Sequence, residues 1–198
     1  MQVQELERLT AENMKMQALA ERDAQVDRLT GLLNRGYFER RAQKEIVRAA
    51  NAPSRYSVIF CDLDGLKRVN DELGHDAGDT VLRAVGTELK RVLPSDDLVG
   101  RYGGDEFVAL VPGLTREMAF DRADLMIAAV QSVNSLLPGH LRIGASVGIA
   151  MYPSDAQDYQ TLVRLADQAM YLAKREGGNR VRTSDDLRLL WEDVPQAA

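Results

Sequence analysis

The chain has 198 residues, of which 45% are hydrophobic and 28% are charged, a composition that suits one globular domain with an attached segment. Its formal net charge of −5 argues against a surface that binds nucleic acid, although a few local cations could still form a phosphate pocket. No apolar stretch approaches the ~18 residues that cross a bilayer, and the polar N-terminus and single cysteine lead us to expect a cytoplasmic protein without membrane segments or internal disulfides.

Residues 1–28 form the first predicted element, a continuous helix without glycine or proline. A partial heptad repeat runs along it, with the a and d positions at Leu6, Leu9, Asn13, Met16 and Ala20. Asn at an a position favours parallel pairs, which indicates a dimeric coiled-coil stalk, while a surface helix folded back on the domain is the alternative. We therefore divide the chain into a stalk over 1–28, a domain over 29–185 and a C-terminal tail over 186–198.

Helices and strands are interleaved through the predicted domain. Thr30 and Gly31 end the stalk, and Asn34 is placed to cap a helix that reaches about Ala50. The later predicted elements are a buried strand over Tyr56–Leu63, a helix over Ala77–Val92, a hairpin with strands over Leu98–Tyr102 and Phe107–Val111, a helix over Thr115–Leu136, a strand over Leu141–Met151, a helix over Tyr159–Arg175 and a strand near Asn179–Thr183. This order predicts an α/β fold of the α+β type, with a mixed central sheet covered by helices.

Two acidic clusters lie at the ends of predicted strands. Residues 103–106 (Gly-Gly-Asp-Glu) form the hairpin tip, where the glycines permit positive φ and a close approach of a ligand to the backbone. Residues 62–65 (Asp-Leu-Asp-Gly) end the buried strand. Magnesium prefers oxygen ligands, commonly one or two carboxylates together with substrate phosphates and water. The two clusters therefore indicate a metal site that includes Asp62, while Asp64 is equally suited to a structural role and an ordinary acidic turn remains the alternative for the tip.

An ordered set of motifs resembles those of the GGDEF-domain diguanylate cyclases. The motifs occupy residues 27–35 (Asp-Arg-Leu-Thr-Gly-Leu-Leu-Asn-Arg), 62–71 (Asp-Leu-Asp-Gly-Leu-Lys-Arg-Val-Asn-Asp), 74–79 (Gly-His-Asp-Ala-Gly-Asp), 103–107 (Gly-Gly-Asp-Glu-Phe) and 167–174 (Asp-Gln-Ala-Met-Tyr-Leu-Ala-Lys). The resemblance covers about Asp27 to Thr183 and implies a five-stranded mixed sheet with surrounding helices, similar to adenylyl cyclases and polymerase palm domains. It also implies condensation of two GTP into cyclic di-GMP with release of two pyrophosphates, across a homodimer that the N-terminal helix would hold together.

The resemblance further implies a metal site and catalytic residues. The cofactor is Mg²⁺, with Mn²⁺ as an alternative. Its implied ligands are the Asp62 side chain, the Leu63 backbone carbonyl and Asp105, with Glu106 as a further candidate. Asp105 also corresponds to the proposed proton acceptor, although a metal-bound carboxylate is a weak base. Lys67 completes the implied catalytic set.

Substrate-binding residues follow from the same resemblance. Asn70 and Asp79 correspond to a pair of residues that recognises guanine. A carboxylate can accept hydrogen bonds from the N1 and N2 hydrogens of guanine, and adenine does not offer this pair of donors. The remaining implied contacts to substrate are made by Leu66, Lys67, Gly104 and Lys174, and by the backbone amides from Leu63 to Leu66. Without the resemblance, Asn70 would be read as a helix cap, Asp79 as a first-turn acid and the lysines as solvated surface charges.

Two positions depart from the family pattern. Gly178 replaces a phosphate-binding arginine four residues after the last motif, so we expect weaker GTP binding unless Arg175 or Arg180 substitutes. Pro94 replaces the arginine of an Arg-x-x-Asp product-binding motif that ends at Asp97. Because proline offers no guanidinium, we expect no tight product inhibition at this position.

The favoured hypothesis is an active diguanylate cyclase in second-messenger signalling. One alternative is a catalytically silent GTP or cyclic-dinucleotide binding module that signals through its stalk, which Gly178 favours. Another is a purely structural dimerisation domain, which would leave the motif residues unexplained. Formation of cyclic di-GMP from GTP and Mg²⁺ separates these hypotheses. We expect the input signal to come from an upstream sensor domain or from a partner protein.

Overall fold

A mixed sheet of six strands forms the centre of the fold. The computed structural model describes residues 25–50 and 54–192. In chain order the elements are β1 (Leu33–Asn34), α1 (Arg35–Ala49), β2 (Tyr56–Asp64), α2 (Leu66–Leu73), α3 (His75–Val92), β3 (Leu98–Arg101), β4 (Glu106–Pro112), α4 (Arg116–Ser132) with a 3-10 turn (Val133–Leu136), β5 (Gly144–Tyr152), α5 (Tyr159–Arg175), β6 (Val181–Thr183) and α6 (Ser184–Glu192). Within these described ranges, no helix is both long and apolar enough to cross a membrane.

The strand order is β1-β3-β4-β2-β5-β6, which places β2 in the interior of the sheet. β2 pairs antiparallel with β4 on one side and with β5 on the other. β3 pairs antiparallel with β4, while the edge strands β1 and β6 pair parallel with β3 and β5. A residue near the end of β2 therefore has a neighbouring strand on both sides.

Both faces of the sheet are covered, because side chains alternate in direction along β2. Ile59 and Leu63 belong to a buried cluster that includes residues of α3 and α4. Phe60 belongs to a second cluster, formed with residues of α1 and α5. Asp62 and Asp64 follow Phe60 at intervals of two residues and so lie on the α1 and α5 side. The fold thus brings two carboxylates of β2 to the end of α5.

Side-chain caps fix the starts of three helices. The Asn34 side chain accepts a hydrogen bond from the backbone N–H of Tyr37 at the start of α1, as predicted. Thr115 caps α4 and Asp158 caps α5 in the same way. The predicted bounds of α5, Tyr159–Arg175, are confirmed.

The structure corrects the sequence prediction in two elements. The five predicted strands are present, but the sheet has a sixth, the two-residue β1, which pairs with β3. Helix α2 was also missed; it lies between Gly65 and Gly74, whose φ angles are 89° and 86°.

The predicted division of the chain into three segments stays a prediction. Helix α6 spans Ser184–Glu192 and so crosses the predicted boundary at residue 185. Residues 1–24 of the predicted stalk and residues 193–198 of the predicted tail lie outside the described residues.

Candidate active site

Strand register brings the two acidic clusters together. Asp62 on β2 is paired with Glu106 on β4 and with Ser146 on β5. The backbone N–H of Leu63 donates to the carbonyl oxygen of Asp105 at 3.1 Å, so the hairpin tip is joined directly to the end of β2. The prediction that the acidic clusters lie on adjacent strands is therefore confirmed. The sequence prediction placed Glu106 in the turn, but it is the first residue of β4.

The glycine pair serves close packing and not an unusual backbone conformation. Neither Gly103 nor Gly104 has a positive φ, which corrects the sequence prediction. A Cβ atom at position 103 would lie 2.4 Å from Glu106 Oε2, so the absence of a side chain leaves room for this carboxylate. The Gly104 carbonyl accepts hydrogen bonds from Arg101 Nε at 3.1 Å and Nη2 at 2.6 Å. The hairpin tip is thus shaped around Glu106 and held by Arg101.

Asp62 lies at the electrostatic centre of the site. Its side chain is 9% exposed, and its Oδ1 atom lies 2.6 Å from Lys174 Nζ at the end of α5. Apart from this ion pair, Oδ1 has no hydrogen-bond partner among the described residues. Burial raises the pKa of Asp62 to about 6, the negative charges of Asp105 and Glu106 add to the rise, and Lys174 opposes it.

The surroundings of Glu106 also carry excess negative charge. Burial raises the pKa of Glu106, and the charges of Asp167 and Asp105 add to this effect, while Lys174 and Arg35 oppose it. Burial lowers the pKa of Lys174, but its contact with Asp62 outweighs this and raises the pKa above its ordinary value. The carboxylates of Asp62, Asp105 and Glu106 therefore lie near one ammonium group, that of Lys174. A further cation would stabilise the ionised forms of these carboxylates.

The donor set suits a divalent ion that is bound together with a substrate. No cluster of three or more His, Cys, Asp or Glu side chains in the described ranges is arranged to hold a metal by itself. Magnesium at nucleotide sites commonly takes only one or two protein carboxylates and completes its octahedral shell with phosphates and water. Asp62, Asp105 and the Leu63 carbonyl are hard oxygen donors at one end of β2, with Glu106 beside them, and they fit this requirement.

Asp64 has a structural role, one of the two alternatives that the sequence left open. Its carboxylate accepts the Ser146 hydroxyl, at 3.0 Å and 2.9 Å to its two oxygens, and the Asn179 backbone N–H at 2.8 Å. These bonds tie the end of β2 to β5 and to the segment that follows α5. The loop that contains Gly178 is thereby held beside the site.

The two residues predicted to recognise guanine lie close together across α2 and α3. A Cβ atom on Gly78 would lie 1.8 Å from Asn70 Oδ1, so Gly78 makes the space that the Asn70 amide occupies. Asp79 is the next residue, and its carboxylate is half exposed at 3.9 Å from Arg83 Nη2. Asn70 Oδ1 is buried and accepts no hydrogen bond. A buried acceptor without a partner costs about 1–3 kcal/mol, which a donor on a ligand would recover.

The turn between β2 and α2 presents a helix N-terminus whose backbone amides are not capped by a side chain. Gly65 has a φ of 89°, and a Cβ atom there would lie 2.5 Å from the Arg142 carbonyl oxygen. Leu66 is buried and anchors the first turn of α2, while Lys67 beside it is exposed. Backbone amides at such a turn are suited to phosphate groups. Lys174, the second lysine predicted to bind phosphate, pairs with Asp62 in this structure.

The departure from the family motifs at Gly178 has a local explanation, whereas nothing in the structure explains the proline at position 94. Gly178 has a φ of 73°, and a Cβ atom there would lie 2.8 Å from Asp64 Oδ2, so an arginine at this position would be strained. Arg180, one predicted substitute, donates to the Gly178 carbonyl at 3.2 Å and to Glu176 at 3.3 Å. Asp97 is buried and pairs with Arg122 at 2.9 Å.

Sequence reasoning missed a connection between the N-terminal motif and the hairpin. Asp27 accepts hydrogen bonds from the backbone N–H of Thr30 at 2.9 Å and from its hydroxyl at 2.7 Å. Arg101, which also holds the Gly104 carbonyl, contacts Asp27 Oδ1 at 3.2 Å. The sequence shows that Arg101 lies next to the hairpin tip. It does not show that Arg101 pairs with Asp27, which is 74 positions away.

Comparison with known proteins identifies the family. A family model described as "Diguanylate cyclase, GGDEF domain" matches residues 24–180. Diguanylate cyclase TpbB of Pseudomonas aeruginosa (strain UCBPP-PA14) is 38% identical over 193 residues, which is 96% of this chain and 44% of TpbB. The chain therefore spans less than half the length of this curated relative.

Solved structures agree with this relationship. A structure of the coiled coil and GGDEF domain of DgcB from Caulobacter crescentus, in complex with c-di-GMP, has 28% identity and a TM-score of 0.77, and covers 90% of this chain and 97% of that one. The GGDEF domain of YfiN, or TpbB, from Pseudomonas aeruginosa has 37% identity and a TM-score of 0.71 over 78% of this chain and 97% of that one. The family model matches most of the chain, and the similarity to TpbB extends over 96% of it. The chain therefore belongs to the GGDEF-domain family of diguanylate cyclases.

Proposed function

We propose that this chain is one half of a working diguanylate cyclase, which binds one GTP and, with a second copy, condenses two GTP into cyclic di-GMP and two pyrophosphates. The observation that carries the proposal is the end of β2. There Asp62 is buried opposite Glu106, is joined to the Asp105 backbone through Leu63, and pairs with Lys174. Such excess negative charge beside a phosphate-type helix N-terminus suits a nucleotide that arrives with a cation.

The base would be held between α2 and α3. The unpaired, buried Oδ1 of Asn70 can accept an N–H of the purine, and the exposed carboxylate of Asp79 can accept the N1 and N2 hydrogens of guanine. Adenine lacks this donor pair and would leave Asp79 unsatisfied. We therefore assign GTP, and not ATP, as the substrate.

The phosphates would lie over the turn between β2 and α2. Because the Leu63 N–H is already bonded to the Asp105 carbonyl, we assign the backbone amides that follow it, up to Leu66, to the phosphates. Lys67 on the first turn of α2 and Lys174 at the end of α5 would be the side-chain cations. Gly104, at the hairpin tip, would permit a close approach of the substrate. These residues bind and orient the triphosphate.

Asp62, the Leu63 carbonyl, Asp105 and Glu106 would hold a divalent ion. When bound there, Mg²⁺ or Mn²⁺ would neutralise phosphate charge and lower the pKa of the attacking 3′-hydroxyl. We assign Asp105 as the group that accepts the hydroxyl proton. Its backbone is fixed by the Leu63 N–H, which keeps the carboxylate at the end of β2.

Ring closure requires a second copy of the chain. One domain offers one base site and one phosphate site, so the 3′-hydroxyl of its GTP must attack the α-phosphate held by its partner. We propose a two-fold homodimer joined through the helix predicted for residues 1–28, and control by an upstream sensor domain or a partner protein. The predicted cytoplasmic location, where GTP is available, stays a prediction.

A direct assay tests this proposal. The purified full chain is incubated with GTP and MgCl₂, and cyclic di-GMP is quantified by chromatography, with MnCl₂ and ATP as parallel conditions. We expect product from GTP only, none from Asp105→Asn, and normal amounts from Arg164→Gln, a change on the exposed surface of α5. Absence of cyclic di-GMP from the unaltered chain at every protein concentration would contradict the proposal.

A silent nucleotide-binding module is the second candidate. Gly178 favours it, since no arginine can be accommodated there without strain against Asp64. Under this alternative the chain binds a GTP analogue but forms no cyclic di-GMP, so a binding titration beside the assay separates the two functions.

A further inference from the structure

A cleft of about 660 Å³ opens beside the turn between β2 and α2. Its lining includes Asp64 and Gly65 at the end of β2, Gln131 of α4, Arg142 and Asn179. Among the described residues that line this cleft, Arg142 is the only basic one. A single guanidinium group therefore supplies the positive charge of this cleft.

The position of Arg142 is fixed relative to the turn. Its carbonyl oxygen lies against Gly65, where even a Cβ atom would come within 2.5 Å. The next residue, Ile143, is clamped by the Asn134 side chain, which accepts from its N–H at 2.8 Å and donates to its carbonyl at 2.9 Å. The guanidinium is thus carried by a backbone that contacts the proposed phosphate-binding turn.

The guanidinium of Arg142 has unused donors. Its Nη1 atom donates to the Leu141 carbonyl at 2.8 Å, and Arg142 forms no ion pair with another residue of the described ranges. A guanidinium has five N–H donors, so most of its capacity is available to a ligand. The Asp64 carboxylate in the same cleft is occupied by Ser146 and by the Asn179 N–H.

The other cations near the cleft are less suitable. Arg180 is bound to Glu176 and to the Gly178 carbonyl, and Arg182 also pairs with Glu176. Lys174 is directed to Asp62. A polyanion that Lys67 and Lys174 hold at the turn between β2 and α2 would therefore meet the Arg142 guanidinium where it extends into the cleft.

We propose that Arg142 binds the terminal phosphate of the nucleoside triphosphate and so supplies the cation that Gly178 cannot. The inference rests on the proposed function, because it deepens the assignment of the same site. A guanidinium can contact phosphate oxygens in a bidentate manner, which gives it a larger effect than a solvated surface charge. Arg142 is then a residue that discriminates a triphosphate from a diphosphate.

The test compares two ligands and four chains. Titration calorimetry with Mg²⁺ measures the affinity of the full chain for GDP and for an α,β-methylene GTP analogue, which cannot lose pyrophosphate. The chains are the unaltered protein, Arg142→Gln, Arg142→Lys and the surface control Arg164→Gln. We expect Arg142→Gln to weaken binding of the triphosphate analogue roughly tenfold and binding of GDP far less, with Arg142→Lys between the two and the control unchanged.

The outcomes separate this inference from the proposed function. If the unaltered chain forms cyclic di-GMP but Arg142→Gln binds the triphosphate analogue with unchanged affinity, the inference is wrong and the function stands. An equal loss of affinity for GDP and for the analogue also overturns it, since the contact would then not be to the terminal phosphate. If the unaltered chain binds neither ligand and forms no product, the proposed function itself fails.

Discussion

The contact between Gly78 and Asn70 predicts how a single methyl group would affect substrate binding. Replacing Gly78 with alanine would put a Cβ atom 1.8 Å from Asn70 Oδ1, which is far inside van der Waals contact. The atom that must move is the end of a side chain, so the Asn70 amide would rotate and the helices would stay in place. The change should therefore affect the site more than the fold.

The magnitudes support this distinction. Alanine is favoured over glycine within a helix by roughly 0.5–1 kcal/mol, and forcing a side chain out of its preferred rotamer costs of order 0.5–1.5 kcal/mol. These contributions nearly cancel, so the free energy of unfolding should change by less than about 1 kcal/mol. Losing one or two hydrogen bonds to the purine, at ~1 kcal/mol each, should raise the KM for GTP about five- to thirtyfold.

The assay measures cyclic di-GMP formation against GTP concentration, with urea unfolding of the same samples. Gly36→Ala is the matched control, because a Cβ atom there would meet no atom closer than 3.6 Å in α1. In an Asn70→Ala background, Gly78→Ala should raise KM no further, since the clash is gone. An unchanged KM in Gly78→Ala alone would refute the assignment of Asn70 to the purine.

Three further predictions concern stability and the hairpin. Asp97→Ala should lower the free energy of unfolding in urea by about 1–3 kcal/mol, because it breaks a buried ion pair, without changing inhibition by cyclic di-GMP. Burial opposes ionisation of Asp155, but hydrogen bonds, first that of Arg116, lower its pKa. Asp155→Asn should therefore cost about 1–3 kcal/mol above pH ~4, and unfolding curves from pH 7 to 3 should show this difference vanish as pH falls through the lowered pKa. Gly103→Ala should reduce turnover at least tenfold by displacing the adjacent carboxylate, whereas Gly139→Ala, with open space around it, should not; equal turnover in both would contradict the packing argument.

The fold was predictable where an element carries its own signals. The capping residue Asn34, the apolar run of β2 and the 3.6-residue periodicity of α5 each act within a short window, and these elements were found. Strand β1 has two residues and is formed by pairing with residues distant in the sequence, those of β3. Helix α2 has eight residues between two glycines, which is too short for a clear periodicity.

The site was predictable in its residue types but not in its distances. The approach of the two acidic clusters followed from placing them on adjacent strands, but the register that pairs Asp62 with Glu106 did not. The ion pair of Asp62 with Lys174 and the fit of Asn70 against Gly78 depend on helices that pack across the domain. Such contacts are set by tertiary packing, which no local pattern reports.

The two ends of the site differ in how firmly the protein holds them. Asp62 is on an interior strand, with a neighbouring strand on each side, and its side chain is almost fully buried. Lys67 and Asp79 lie near the N-terminal ends of α2 and α3. Within the described ranges no hydrogen bond fixes the Asp79 carboxylate, whose nearest charged partner is Arg83 at 3.9 Å. Pre-organised charge at the reacting phosphate matters most for the chemical step, whereas base recognition can tolerate adjustment on binding. Substitutions at the end of β2 should therefore appear in kcat, and substitutions on α2 and α3 in KM, because the fold assigns rigidity to the first group and exposure to the second.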